Sequence, residues 1–442
     1  MTSHPSLPPR GAGSNRWVHL RVTMPRAGGH QANVMQPTAA KLRLSLAAIA
    51  MLAACSLPSR ELGTKRERWT IFEPAERDDS DFGPLVATPD DGVILVASHW
   101  NGFEGDSELR RYDAEGGVRW STLMDPRDSI AYGPTAIAVA ADGTIVVGGA
   151  TRDPQGDDVK LNRGKLLGFD PGGALLWTRD VEGTWDVSAV AVLPDGRVAY
   201  GGGTQEPLGV QIGIISTAGA LGPMTRLVDP TLPDEVSPVE SVVAQSTGGL
   251  VALLKHVEPN QPELVAFDAD LARTWTHAGR VGAHLADLAV APDDGILLLS
   301  HSDRIRHDVD GTDHWLANDN RITVLDADGI VEHELEGVEP GLQVRALALE
   351  PDGTIVIAGA DRRSREDNLL GVAEIDPDTG ETLWFDTAGA PIPELYAEHA
   401  ISGVVVTASG DLVVAGGYDD RLTTGWRGWL RRYAARSPEG ED

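Results

Sequence analysis

Two stretches decide the fold: RALALEPDGTIVIAG at 345–359 and VAEIDPDTGETLW at 372–384. Each is a pair of short β-rich runs around a turn. In the first, Asp352-Gly353 places a glycine where a tight hairpin needs positive φ. In the second, Asp376 ends one run, and its carboxylate can accept backbone N–H groups two residues on. Together they make four short antiparallel strands.

Both elements recur. The first returns as LVATPDDGVILVAS (85–98), TAIAVAADGTIVVGG (135–149), SAVAVLPDGRVAYGG (188–202), ESVVAQSTGGLVALLK (240–255), ADLAVAPDDGILLLS (286–300) and SGVVVTASGDLVVAG (402–416). Its anchoring glycines are Gly92, Gly143, Gly196, Gly249, Gly295, Gly353 and Gly410. The second returns as LRRYDAEGGVRW (109–120), LLGFDPGGALLW (166–177), GIISTAGALGPM (213–224), LVAFDADLARTW (264–275) and ITVLDADGIVEH (322–333). Trp120, Trp177, Trp275 and Trp384 recur at one place in the outgoing strand, which marks a repeated packing slot. Seven four-stranded antiparallel units of about 50 residues, arranged radially, make an all-β seven-bladed propeller over residues 67–435.

The ends of this region complement each other. After residue 417 only GWRGWLRRYAA (425–435) remains as a third strand. Trp69-Thr70, near the start, matches Trp177-Thr178 and Trp275-Thr276, which belong to fourth strands. An N-terminal strand is therefore expected to complete the last blade and remove an open edge.

The second element resembles the repeat of pyrroloquinoline-quinone-type propellers, which run as apolar-Asp-x-x-Thr-Gly-x-x-x-Trp. Residues 376–384 match it closely. Met224 and His333 stand at the Trp position of blades three and five. The resemblance implies a blade-packing role for this turn, not a cofactor role. Quinone dehydrogenases of that type usually have eight blades, and many carry a vicinal cysteine pair and calcium carboxylates. Here there are seven repeats and no propeller cysteine. The chain is also similar to the non-enzymatic lipoprotein propellers of bacterial envelopes, such as the one in the outer-membrane β-barrel assembly machinery.

Residues 41–55 read KLRLSLAAIAMLAAC. Lys41 and Arg43 precede an apolar run from Leu44 to Ala54, which is the length of a signal-peptide core and too short to span a bilayer. The ending Leu52-Ala53-Ala54-Cys55 resembles the lipobox of bacterial lipoproteins. That resemblance implies lipidation of Cys55, the single cysteine of the chain. It divides the start into a signal peptide at 35–54, beginning at Met35, and a tether at 55–66. Residues 1–34 have no periodicity and read as an over-long start; 436–442 form an acidic tail. Ser56 in place of Asp resembles sorting to the outer membrane, facing the periplasm or the cell surface.

The chain carries 66 acidic and 37 basic residues, a formal charge of −29. Residues 1–54 hold six basic residues and no acidic ones, so residues 55–442 stand at −35. Such a surface repels phosphate backbones and excludes nucleic acid as a partner. It favours a basic envelope protein or a cationic ligand. One cysteine excludes a disulfide framework and any CxxC site.

The short turns of both hairpins share one face of a propeller disc. The long connections share the other, and function is expected there. Asp308, Asp310 and Asp313 alternate as the start of a calcium loop does, which makes Ca2+ the candidate ion and no other cofactor expected. No closing Glu stands at the expected distance. His99, His256 and His301 fall at the rim of second strands, as metal ligands or loop-packing groups. Trp100, Trp185, Trp315 and Trp426 fall in expected long loops, where tryptophan marks a contact surface or covers a blade edge. The sequence points to a monomeric, lipid-anchored binding or scaffolding module. The alternative is an axial enzyme site, either a metal-dependent hydrolase or lactonase or a quinone-type oxidoreductase. Carboxylates or histidines converging on the channel would favour the enzyme.

Overall fold

The computed structural model describes residues 67–72, 80–100, 105–124, 132–151, 163–205, 208–227, 239–255, 262–280, 283–307, 313–361, 369–388, 399–420 and 425–435. The chain enters through β1 (Glu67–Phe72). Blade one is β2 (Ser80–Ala87), β3 (Val93–Trp100), β4 (Gly105–Tyr112) and β5 (Val118–Met124). Blade two is β6 (Tyr132–Val139), β7 (Ile145–Thr151), β8 (Arg163–Phe169) and β9 (Leu175–Val181). Blade three is β10 (Ala189–Val192), β11 (Val198–Gln205), β12 (Leu208–Ile215) and β13 (Leu221–Leu227). Blade four is β14 (Val239–Ala244), β15 (Leu250–Lys255), β16 (Pro262–Phe267) and β17 (Arg273–Ala278). Blade five is β18 (His284–Val290), β19 (Ile296–His307), β20 (Asp313–Leu325) and β21 (Val331–Glu336). Blade six is β22 (Leu342–Leu349), β23 (Ile355–Asp361), β24 (Leu369–Ile375) and β25 (Thr382–Ala388). Blade seven is β26 (His399–Val406), β27 (Leu412–Asp420) and β28 (Gly425–Tyr433), with β1 as its outer strand.

All pairings are antiparallel within each blade. The inner strands stand side by side in the order β2, β6, β10, β14, β18, β22, β26, and β26 returns to β2. This is the seven-bladed all-β propeller that the repeat implied.

The apolar side chains form one core at each of the seven blade junctions. Second strands feed two of them at once. Ile145 and Val147 belong to the junction of blades one and two, while Val146 between them belongs to that of two and three. Successive strand residues point to opposite faces, and here both faces are covered. That is why β3, β7, β15, β19, β23 and β27 open as continuous apolar runs instead of alternating ones.

The short turns lock the junctions on the other side of the repeat. In each second hairpin a side-chain oxygen at the turn's start caps it: Asp170 Oδ1 accepts from the N–H groups of Gly172 (2.9 Å) and Ala174 (2.8 Å). The tryptophan of the preceding blade then reaches across. Its indole N–H donates to the carbonyl of the residue after the cap: Trp69 to Ala114 (2.9 Å), Trp120 to Pro171 (3.1 Å), Trp177 to Thr217 (2.7 Å) and Trp275 to Ala327 (3.0 Å). His333, standing where a tryptophan was expected, pairs with the same carbonyl at Pro377, 3.1 Å away. The ring packs flat on the turn, so glycine is required there twice over. Gly219 has φ +78, and a Cβ on it would come within 2.7 Å of the Trp177 ring.

One junction departs. Met224 is exposed, and the turn it would cover carries Leu271 at φ +61. Leu271 is buried in the core between blades three and four, so an aliphatic side chain replaces the aromatic lid from the opposite blade. Trp384 departs in a different way, because blade seven has no second hairpin for it to cover. It is buried edge-to-face against Tyr433, with ring centroids 5.2 Å apart.

The first hairpins differ in one detail from the repeat pattern. Each is a three-residue loop, with a turn followed by a residue at positive φ. In blades two, three, six and seven that residue is the expected glycine, but in blades one, four and five it lies one position earlier, at Asp91, Gly248 and Asp294. The two aspartates offset the strained backbone by contact. Asp294 accepts from Ser246 N–H (2.6 Å) and hydroxyl (2.7 Å) in blade four, and Asp91 accepts from Ser409 N–H (2.6 Å) in blade seven.

Blade seven closes on β1, with Glu67 opposite Tyr433 and Phe72 opposite Trp429. Beside it Arg432 is buried, donating to Asp411 Oδ2 (2.7 Å) and to the Asp91 carbonyl of blade one (2.6 Å).

Replacing Trp384 by alanine is expected to cost roughly 3–5 kcal/mol, the range for a buried aromatic. Chemical denaturation of the purified variant reads the loss; a cost under about 1 kcal/mol contradicts the packing assigned to it.

Candidate functional site

The inner strands do not run straight. Six carry a bulge, between Phe82 and Leu85, Pro134 and Ala136, Val239 and Ser241, Leu285 and Asp287, Val344 and Ala346, and Ile401 and Gly403. A bulge turns an extra residue out of the ladder. Here Thr135, Glu240, Arg345 and Ser402, which stand at such bulges, line the axis. The result is a cavity of about 310 Å3 lined by all seven inner strands.

Its polar lining is uneven. Thr135 and Ser188 present hydroxyls from blades two and three, and each also braces the next blade. Thr135 Oγ1 donates to the Val187 carbonyl (2.7 Å) and Ser188 Oγ to the Val239 carbonyl (2.6 Å). Glu240 and Ser241 come from blade four, Asp287 from blade five, Arg345 from blade six and Ser402 from blade seven. Asp287 is a brace as well. Its Oδ1 accepts from Leu288 N–H (2.8 Å) and its Oδ2 from Leu347 N–H (3.0 Å) in blade six. Burial deep in the ring outweighs these two bonds and pushes its carboxyl up to about 6. Arg345 is exposed to the cavity and, among the described residues, makes no hydrogen bond or ion pair.

Nearby, Asp186 precedes the inner strand of blade three. Its carboxyl accepts from Gly203 N–H (2.8 Å), and burial, with the Glu240 charge adding to it, raises its pKa. Burial also pushes Asp81, at the start of β2, up to about 6.

The residues singled out from sequence do not gather around this cavity. Cys55, His256, Asp308 and Asp310 lie outside the described residues. Asp313 is the first residue of β20, opposite His307. Trp100, Trp315 and Trp426 are not in loops. They sit in strands β3, β20 and β28, opposite Gly105, Ile305 and Asp419. The charged, histidine-rich composition of 301–320 masks a strand pattern, and most of that stretch is ladder. β19 has 12 residues and β20 13, against eight in β3 and in β4. At about 3.3 Å per residue, the hairpin reaches about 13 Å further than its counterpart in blade one.

Trp185 does lie in a connection, half-buried, with its ring against Gly203. His99 sits in an ion cluster on blade one, its Nε2 3.0 Å from Arg110 and 3.7 Å from Glu108. His301 is buried and stacked on His284 at 5.3 Å. None of these is on the axis. Among the described residues, no three His, Cys, Asp or Glu side chains converge as ligands for one metal ion.

The channel charges escaped the sequence reading, although a signal was present. Thr135, Ser188, Glu240, Arg345 and Ser402 each open a copy of the first repeat element. They are a polar head on an otherwise largely apolar strand.

This architecture defines a seven-bladed β-propeller. No family model matches the chain. No curated protein matches it either. Among solved structures it is similar to the Neurospora crassa Pan2 WD40 domain, with a TM-score of 0.53 at 8% identity, covering 86% of this chain and 99% of that one. Streptogramin B lyase gives a TM-score of 0.47 at 12% identity, covering 82% and 97%. The quinohemoprotein alcohol dehydrogenase of Comamonas testosteroni gives 0.43 at 11% identity, covering 85% and 77%. At such identities the likeness is one of fold.

A carboxyl with a raised folded-state pKa binds its proton more tightly folded than unfolded. Asp287 therefore stabilises the fold most when protonated, and that contribution fades as pH rises from 3.8 through about 6. Asp287→Asn keeps an acceptor for Leu347 N–H and should remove this part of the slope. Melting temperature measured from pH 4 to 7 should fall less steeply with pH in the variant; an unchanged slope contradicts the assignment.

Proposed function

We propose that the protein is a lipid-anchored propeller of the bacterial envelope that binds a partner through its long-connection face. The observation that carries this reading is the extended hairpin of β19 and β20. It is a paired arm on a rigid disc, rising from the face opposite the interblade locks. Rigid elements present a binding surface at lower ordering cost than loops do. The acidic surface supports a basic envelope protein as the partner. Cys55 supplies the membrane attachment and Ser56 supports an outer-membrane location; the alternating carboxylates of Asp308, Asp310 and Asp313 in the sequence would supply oxygen ligands for Ca2+.

The two channel carboxylates favour a second reading, an axial enzyme site. Asp287 holds backbone amides with both oxygens, so Glu240 would have to carry the chemistry. Binding is the better-supported use of that arrangement.

Cys55→Ser should move the protein from the membrane fraction to the soluble fraction. Unchanged membrane retention and extraction sink the anchor. For the arm, residues 304–317 replaced by an Asn-Gly turn should leave the melting temperature unchanged. After cross-linking in intact cells, the parent should migrate as a larger complex and the shortened protein as a monomer. If both migrate alike, the arm is not the binding element.

A further inference from the structure

We infer that the axial cavity is a binding site for a small zwitterion, one that offers a carboxylate to Arg345 and an ammonium group to Glu240. At about 310 Å3 the cavity stands at the lower end of small-molecule sites, so it suits a single amino acid or a molecule of that size. Its lining supplies both signs of charge from different blades. Glu240 comes from blade four and Arg345 from blade six, with Ser241 and Ser402 beside them.

Arg345 decides the carboxylate end. It is exposed to the cavity and, among the described residues, makes no hydrogen bond or ion pair. A guanidinium in that condition offers a planar fork of donors that fits a carboxylate with two parallel bonds. A simple anion is a poor occupant, because Glu240 and Asp287 line the same cavity and the chain carries −29 overall. A simple cation is also a poor occupant, since it would leave Arg345 unmet. The ammonium end belongs at Glu240, where the field of Asp186 adds to its own. One molecule with both groups satisfies both charges of the lining. This site is independent of the arm proposed above: it lies on the axis and uses none of the arm's residues.

The test is calorimetric titration of the intact propeller with glycine, L-alanine, L-glutamate, β-alanine and γ-aminobutyrate. Acetate and ethylamine serve as single-charge controls. At least one zwitterion should saturate at or below about 1 mM, and neither control should bind at that concentration. Arg345→Ala and Glu240→Gln should each weaken it by at least about tenfold, the loss of a hydrogen bond to a charged group. Arg345 is exposed at the cavity and, among the described residues, makes no hydrogen bond or ion pair, so unliganded Arg345→Ala should melt with the parent; Arg345→Lys, which keeps the charge but not the fork, should bind with an affinity between those of parent and alanine. The arm-shortened protein should bind as the parent does. The proposal is overturned if no zwitterion saturates, if acetate or ethylamine binds as tightly, or if the variants bind unchanged.

Discussion

Every second strand in this molecule is apolar on both faces, and among the described residues no helix covers either one. A blade therefore cannot stand alone. It needs a neighbour on each side, and only a closed ring gives all seven blades two neighbours. The junction between blades seven and one carries that constraint for the whole, because it joins residues from opposite ends of the propeller. Its apolar part brings Phe82, Leu85 and Tyr112 against Val413, Ala415 and Leu430. Its polar part is unusual for a core. Arg432 and Asp411 are both buried, and a buried charge is tolerated only when paired and fully bonded. Asp411 receives Arg432, Arg68 and the Ala435 N–H, while Arg432 reaches on to blade one. That set forms only when β1, β28 and the first turn of blade one are all in place, so it ties closure to one register.

The division of the disc comes from this constraint. Junction locks concentrate in the short turns, where indoles, capped aspartates and the Asp91 and Asp294 carboxylates bridge from blade to blade. Residues on that face are committed to holding the ring. The opposite ends of the strands are not, so length can be added there without disturbing the junctions. Blade five uses that freedom. Its middle two strands run on past the others as a paired hairpin, and only residues 308–312 of it lie outside the described structure.

The repeat made the fold legible. A glycine every 46–58 residues, an aspartate before five of the six second turns and a tryptophan after four of them are consequences of the blade geometry, so reading them backwards recovers the geometry. What the repeat could not show is where one residue type replaces another with the same job. Asp91 and Asp294 hold positive φ without being glycine. His333 makes the bond of a tryptophan, and Leu271 fills from one side what an indole fills from the other. The arm was illegible for another reason. Its backbone continues the ladder from Asp303 to His307 and from Asp313 to Asn318, but the apolar run that opens each second strand does not continue into this stretch of sequence. Trp315 therefore reads as a loop residue, although its backbone is in a ladder.

The axis was the least legible part, because its residues are exempt from the junction rule. At the head of five inner strands the repeat carries a polar residue, Thr135, Ser188, Glu240, Arg345 or Ser402, and the physical use of each differs. Thr135 and Ser188 turn the position into a brace by donating to the next blade's carbonyl. Blade five moves its brace one residue along, to Asp287, and accepts a backbone N–H instead. Blade six does neither. Arg345 occupies the same position, could donate as the hydroxyls do, and makes no such bond among the described residues. Local rules are broken where function outweighs stability. The break at Arg345, opposite in sign to Glu240 and Asp287 in the same lining, is the observation from which the axial site is inferred.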